Sequence, residues 1–215
     1  MKKISILFLF CLSVFFVMAQ PSKKVMRQLI DDNLKFAADQ YKLMAKNTPD
    51  NVMPRSFKDT LVTSNTRWWC SGFYPGTLWL IYSGTKDAAL RTEAEKRLSL
   101  QEPMKLYTGN HDLGFMIFCP FGTAYDITKN PAYKEVIMAA AETLTKRYRP
   151  SIQSIQSWDS SANFKCPVII DNMMNLELLE WAARNGGDKK YHEISVKHSN
   201  ATIKNHYRPD NSSWH

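Results

Sequence analysis

The sequence predicts an all-α protein built from repeated helical hairpins. Three observations carry that prediction. Apolar residues recur with the 3.6-residue period of a helix along most of the chain. No run alternates apolar and polar residues for long enough to argue for a sheet. A short signature also repeats, a polar turn, then Lys, then an apolar-striped helix, at Gly84-Thr85-Lys86-Asp87, Ile127-Thr128-Lys129-Asn130-Pro131 and Gly186-Gly187-Asp188-Lys189-Lys190. Such hairpins cannot bury their apolar faces alone, so they stack into a solenoid or close into a toroid. A closed ring suits the aromatic content of 12%, because inner helices need bulky filling and a mouth needs flat surfaces for sugars.

Residues 1–19 open with Met1-Lys2-Lys3, stay apolar from Ile4 to Met18 and end on Ala19, the pattern of a signal peptide cut before Gln20. The run is shorter than the ~20 residues of a spanning helix, and Pro21-Ser22-Lys23-Lys24 follows at once. Cleavage is therefore expected over anchoring, leaving a periplasmic or secreted protein with no membrane attachment. Cys11 lacks the small-residue context of a lipid-attachment site.

Residues 20–215 have the length of one domain. The first helix is marked by Val25, Leu29, Leu34, Ala37 or Ala38, Tyr41 and Met44 or Ala45, and Asn47-Thr48-Pro49-Asp50-Asn51 stops it. The second carries Pro75 in its first turn, ahead of Leu78-Trp79-Leu80-Ile81-Tyr82, and closes at Ser83-Gly84-Thr85. The third starts near Asp87 and weakens at Pro103. Helical runs follow Asp112 and Asp171, and the last helix covers Asp188 to Tyr207. Arg208 to His215 reads as a loop without a capping repeat, so an incomplete, N-terminal portion of the ring is expected.

The formal net charge is +8, and loss of Lys2 and Lys3 with the signal segment takes it to +6. That charge favours acidic partners, or serves solubility alone. The basic residues are scattered and no nucleic-acid motif is present, which argues against a nucleic-acid partner. Cys70, Cys119 and Cys166 are spaced too irregularly for a metal knuckle or a disulfide frame, so buried free thiols are expected. His111, His198 and His215 share no short metal spacing, and no metal is assigned.

Two aspartates stand at the heads of apolar helical runs. Asp112 lies in Asn110-His111-Asp112-Leu113-Gly114-Phe115, where the positive end of the helix dipole favours the ionised form. Asp171 lies between Val168-Ile169-Ile170 and Met173-Met174, where desolvation is expected to raise its pKa and keep a proton for general acid catalysis. Simple N-capping is the competing role for each. Trp69 and Trp158 sit in loops, where their rings suit stacking on sugars. Asp159 reads as a loop hydrogen-bonder.

Trp69-Cys70-Ser71-Gly72-Phe73-Tyr74-Pro75-Gly76-Thr77-Leu78-Trp79, His111-Asp112-Leu113-Gly114-Phe115, Ser157-Trp158-Asp159 and Pro167-Val168-Ile169-Ile170-Asp171-Asn172-Met173-Met174-Asn175-Leu176 together resemble the unsaturated glucuronyl hydrolases, glycoside hydrolase family 88. The likeness runs from about Arg67 to the last residue. It implies an (α/α)6 toroid and hydrolases that remove the 4,5-unsaturated uronic acid left by polysaccharide lyases, by hydrating its vinyl ether. By motif, the resemblance makes Asp171 the proton donor and water activator and Asp112 the second essential carboxylate. Trp69, Trp158, His111 and His215 match substrate-binding positions. The implied partner is an unsaturated acidic oligosaccharide, with no metal or organic cofactor. The family's later Gln, Arg and Trp contacts fall beyond His215. A sister activity on unsaturated rhamnogalacturonan fragments and a non-catalytic helical-repeat sugar-binding protein are the alternatives.

Overall fold

Helix α1 covers Lys23–Asn47 in the computed structural model, which describes residues 22–214. The signal segment 1–19 and His215 lie outside the described residues. Ser22 caps α1 by accepting the Val25 N–H at 3.3 Å, and the extended Thr48 ends the helix before Pro49. The apolar stripe packs only from Leu34 onward, through Ala38, Tyr41 and Met44; Val25 and Leu29, expected on the same stripe, face outward.

A hairpin that the patterning did not announce follows. Strands β1 (Met53–Lys58) and β2 (Thr60–Ser64) pair antiparallel around Asp59, whose φ is 60°, with a bulge between Pro54 and Ser56. The rest alternates as expected: α2 (Phe73–Thr85), α3 (Ala88–Gln101) running into a 3-10 turn at Glu102–Leu106, a wide π-helix (Gly114–Gly122), α4 (Thr123–Thr128), α5 (Pro131–Thr145), α6 (Asn172–Arg184) and α7 (Lys190–His206). A second, two-residue hairpin, β3 (Tyr148–Arg149) with β4 (Ser154–Ile155), sits between α5 and α6.

The repeated signature has a common physical basis. Lys86 and Lys129 adopt the left-handed conformation that ends a helix, and their N–H groups donate to Tyr82 O and Tyr125 O. The next residue then caps the following helix: Asp87 Oδ1 accepts the Ala89 N–H at 2.9 Å, and Asn130 Oδ1 accepts the Ala132 N–H at 3.1 Å. In the third copy Gly186, at φ 95°, takes the left-handed position, and Asp188 Oδ1 accepts the Lys190 N–H at 2.8 Å. In the first two copies one dipeptide thus stops one helix and starts the next, and in the third the two tasks fall two residues apart.

The helices form two rows. α2, the π-helix with α4, and α6 pack side by side, and α1, α3, α5 and α7 back them. Trp79, Leu98, Met116, Ile117, Phe121, Ile137, Leu144 and Leu178 fill the space between the rows and are all but fully buried. Each inner helix returns through an outer one, so the inner three run parallel with their starts at one end. Those starts touch. A Cβ on Gly72, just before α2, would lie 2.1 Å from Phe115 O in the π-helix, and one on Gly114 would lie 2.6 Å from Asn175 Oδ1 in α6. Pro120, which has no N–H to give, lies inside the π-helix and disturbs its regular hydrogen bonding. Among the described residues, no helix is long and apolar enough to cross a membrane.

Candidate active site

The parallel inner starts explain why the sequence motifs precede helices. Trp69 lies before α2, His111 and Asp112 before the π-helix, and Asp171 before α6, so three remote segments meet at one end of the inner row. His111 Nε2 is 3.4 Å from Asp112 Oδ1 and 3.7 Å from Asp171 Oδ1, and one polar atom of each of the three residues lies within 4.8 Å of the other two. Neither aspartate side chain caps its helix. The π-helix makes no side-chain cap hydrogen bond, and Asp171, at the N-cap position of α6, makes no capping hydrogen bond either. The carboxylates turn toward one another instead.

Burial within the cluster runs opposite to the expectation from sequence. Asp112 is the deep member, and its pKa rises to about 7, chiefly by desolvation and then by the charge of Asp171, while Arg147 pulls it down. The helix dipole does not keep it ionised, because loss of water outweighs the first turn's field. Asp171, expected to sit in an apolar niche, leaves 33% of its side chain exposed at the mouth. His111 is buried, and desolvation lowers its pKa to about 4; the Asn172 side chain opposes this, and the charges of Arg147 and His198 add to it. The ring is therefore neutral near pH 7, and its contacts with the aspartates are polar contacts without a full ion pair.

A framework that sequence reading did not single out holds these groups. Asn175 Oδ1 accepts the Phe115 N–H at 3.2 Å and lashes α6 to the π-helix. Asn172 Nδ2 donates to Ile155 O at 2.7 Å. The His111 N–H donates to Ser157 O at 2.9 Å, Ser157 Oγ accepts the Ile169 N–H at 3.1 Å, and Asn110 pairs with Trp158 as an antiparallel bridge. Arg147 Nε donates to Gln156 O at 2.7 Å and Nη1 to Thr108 O and to Asp159 Oδ1, clamping the loops that carry His111 and Trp158. Two fully buried Asn residues in the apolar start of α6 were a readable signal; a single Arg in a basic chain was not.

Trp69 and Trp158 are each 43% exposed. Trp69 stands edge-on to Phe73 and Phe115, with ring centroids 5.8 and 5.9 Å away, and the bridge to Asn110 ties Trp158 to the loop of His111 and Asp112. Asp159 accepts from Arg147, as a loop hydrogen-bonder would. Cys70, Cys119 and Cys166 are free and half-buried. His198 lies away from the cluster's heart, its Nδ1 accepting the Ile155 N–H at 3.0 Å. His215, named from the motif, lies outside the described residues.

Two rows of helices with paired carboxylates at the inner starts define a helical-toroid protein with a two-carboxylate site. The comparisons carry this further. The chain is 45% identical over 149 residues to an unsaturated glucuronyl hydrolase of Formosa agariphila, a stretch that covers 68% of this chain and 37% of that protein. It is 33% identical over 200 residues to an unsaturated chondroitin disaccharide hydrolase of Streptococcus pneumoniae, covering 91% and 48%. It also matches the crystal structure of an unsaturated glucuronyl hydrolase specific for heparin, with a TM-score of 0.81 and 34% identity over 86% of this chain and 50% of that one. No family model matches. The chain belongs to the unsaturated glucuronyl hydrolase family, and it spans about half the length, or less, of the curated relatives it matches.

Proposed function

We propose that the protein is an exported glycoside hydrolase that removes 4,5-unsaturated glucuronic acid from the non-reducing end of lyase-generated, glycosaminoglycan-type oligosaccharides. The observation that carries this reading is the cluster of Asp112, His111 and Asp171 at the shared starts of three parallel helices, flanked by exposed tryptophans. The helix starts turn the positive ends of their dipoles toward the place where a uronate carboxylate would sit. Trp69 and Trp158 offer flat faces to a ring flattened by its double bond. Chondroitin and heparin in the relatives' names support the glycosaminoglycan class, and the pattern of residues 1–19 supports export.

The reaction adds water across C4=C5. Asp171, the more exposed carboxyl, gives its proton to C4 and then takes one from the water whose oxygen bonds to C5. The resulting hemiketal opens to a keto acid and releases the remaining sugar. Asp112 titrates near 7 because it is buried beside Asp171, so the pair as a unit retains a proton around neutrality. His111 is neutral there, so it orients the pair without drawing its proton off.

The test is turnover of an unsaturated chondroitin-type disaccharide by the full gene product, followed as loss of the conjugated uronate's ultraviolet absorbance. Asp171→Asn is expected to slow it by about 10²–10⁴-fold with an unaltered helical circular dichroism spectrum. Wild-type turnover in that variant removes the mechanism. The rate is expected to fall as pH rises through about 7, because the pair then loses the proton it must deliver.

A further inference from the structure

His198 stands on α7, remote in sequence from the aspartates, and is fully buried. Its Nδ1 accepts the Ile155 N–H at 3.0 Å, so that nitrogen is bare and the ring proton sits on Nε2. Burial lowers the pKa of His198 to about 4, which keeps the ring an acceptor throughout the neutral range. Ile155 is thereby held by its N–H, and its carbonyl accepts Asn172 Nδ2 at 2.7 Å.

Asn172 is also fully buried and follows Asp171 directly. Its amide can face only one way, because the opposite orientation would set its oxygen against Ile155 O. With Nδ2 committed to Ile155, Oδ1 is left for the His111 ring. Against the desolvation that lowers the His111 pKa, the Asn172 side chain acts as a hydrogen-bond partner that raises it. His111 Nδ1 and Asn172 Oδ1 are both buried, and neither makes a hydrogen bond of regular geometry to the described residues. The other ring nitrogen, Nε2, faces Asp112 Oδ1 at 3.4 Å and Asp171 Oδ1 at 3.7 Å. A proton on Nδ1 leaves Nε2 bare, and a bare nitrogen bonds only to a carboxyl group that has kept its proton. The opposite tautomer would donate to the carboxylates and favour the ionised pair.

We propose that Asn172 and His198 are positioning residues that fix His111 as the Nδ1–H tautomer, so that its bare Nε2 holds in place the proton shared by Asp112 and Asp171. The links run from His198 to Ile155, from Ile155 to Asn172 and from Asn172 to His111. The bearing on catalysis rests on the hydrolase reading; the tautomer itself does not. The charged and titratable groups that act on the ring are Asp112 beside it, Asp171 at the start of α6, Arg147 after α5 and His198 on α7.

Nitrogen-15 NMR of the histidine rings in the full gene product tests it, with the His111 signals assigned by their loss in His111→Gln. At neutral pH the expected pattern is a protonated Nδ1 and a bare Nε2. Asn172→Leu is expected to populate the other tautomer and to lower the midpoint of the Asp112 titration, read by carboxyl-detected NMR, by about 1–2 pH units, the equivalent of one hydrogen bond to a charged group. At neutral pH kcat then falls roughly 5–50-fold with KM little altered, and lowering the pH by the same amount recovers it, which a merely structural defect would not do. His198→Asn, which keeps an acceptor opposite the Ile155 N–H, is expected to retain the wild-type tautomer, and His198→Leu to populate both. A protonated Nε2 in the wild type overturns the proposal, and that spectrum decides even where a variant does not fold. So does an unaltered tautomer in folded Asn172→Leu or folded His198→Leu. Turnover of the unsaturated disaccharide alongside either of these results sinks the tautomer assignment and leaves the hydrolase standing; the expected tautomers without any turnover do the reverse.

Discussion

Two arginines are buried among the described residues, and they are used differently. Arg97, in α3, is fully enclosed and fully matched. Its Nε donates to Glu93 Oε1 at 2.7 Å, its Nη1 to Pro49 O and Val52 O at 2.8 and 2.6 Å, and its Nη2 to Thr48 O at 3.1 Å. It holds the link between α1 and the hairpin, with a buried counter-charge beside it. Arg147, after α5, donates to two carbonyls and to Asp159, whose side chain is 82% exposed, while Nη2 is buried without a hydrogen bond to the described residues. Its charge is balanced only from the surface, so its field extends inward to Asp112 and His111 and lowers both pKa values. One arginine is spent on architecture; the other serves architecture and sets the charge state of the site.

The largest effect is expected where matching is complete. Arg97→Met strands several carbonyls inside the protein and leaves Glu93 only Lys96 and the Tyr74 hydroxyl, and it should lower stability by about 3–5 kcal/mol, read from the denaturant midpoint. Next comes pH. Unfolded, Asp112 loses its proton near the usual carboxylate value, but folded it keeps it to about 7, so the native state pays increasingly as pH rises between those values. Stability should therefore fall by on the order of a few kcal/mol from pH 4 to pH 8, and Asp112→Asn should flatten that slope. Arg147→Met should destabilise less than Arg97→Met, by about 1–3 kcal/mol, because Asp159 can return to water. It should also move the Asp112 titration upward, a shift that carboxyl-detected NMR reads and that Arg97→Met should not produce. The smallest effect belongs to Asp159→Asn, below about 1 kcal/mol in the same denaturation assay, as for other exposed ion pairs.

Much of the fold was legible because the helices are punctuated locally. Thr48-Pro49, Lys86-Asp87 and Lys129-Asn130 stop and start helices with their own backbones and side chains, and the structure ends and begins helices there. The hairpin was not legible. Pro54, Arg55 and Lys58 break the alternation of β1, and the segment that leads into it, Thr48 to Val52, is held from afar by Arg97, whose bond to Val52 O spans 45 residues. In the site, the aspartates were readable as helix-head residues, and the structure brings them together. Their depths were not, because periodicity reports the face a residue occupies and not how far along the helix axis the solvent begins. Asp112, after polar neighbours, is sealed by the loop of Ser157, whereas Asp171, between apolar neighbours, opens outward. Asn175 acts across a gap of sixty residues, which no local pattern encodes.

The wide helix at Gly114–Gly122 turns chain length itself into a determinant of the site. A π segment behaves as an α-helix with surplus residue, and here the surplus lies between position 112 and the stretch that anchors this strand of backbone to the outer row. Removing the surplus residue lets the coil tighten to its ordinary pitch with its flanks in register, whereas removing one from the regular helix that follows, Thr123–Thr128, would turn everything upstream by about 100°. The carboxyl groups would then part company with every side chain still present, so an alignment gap in the regular helix is as telling as the loss of an aspartate, while one residue fewer in the wide stretch is absorbed.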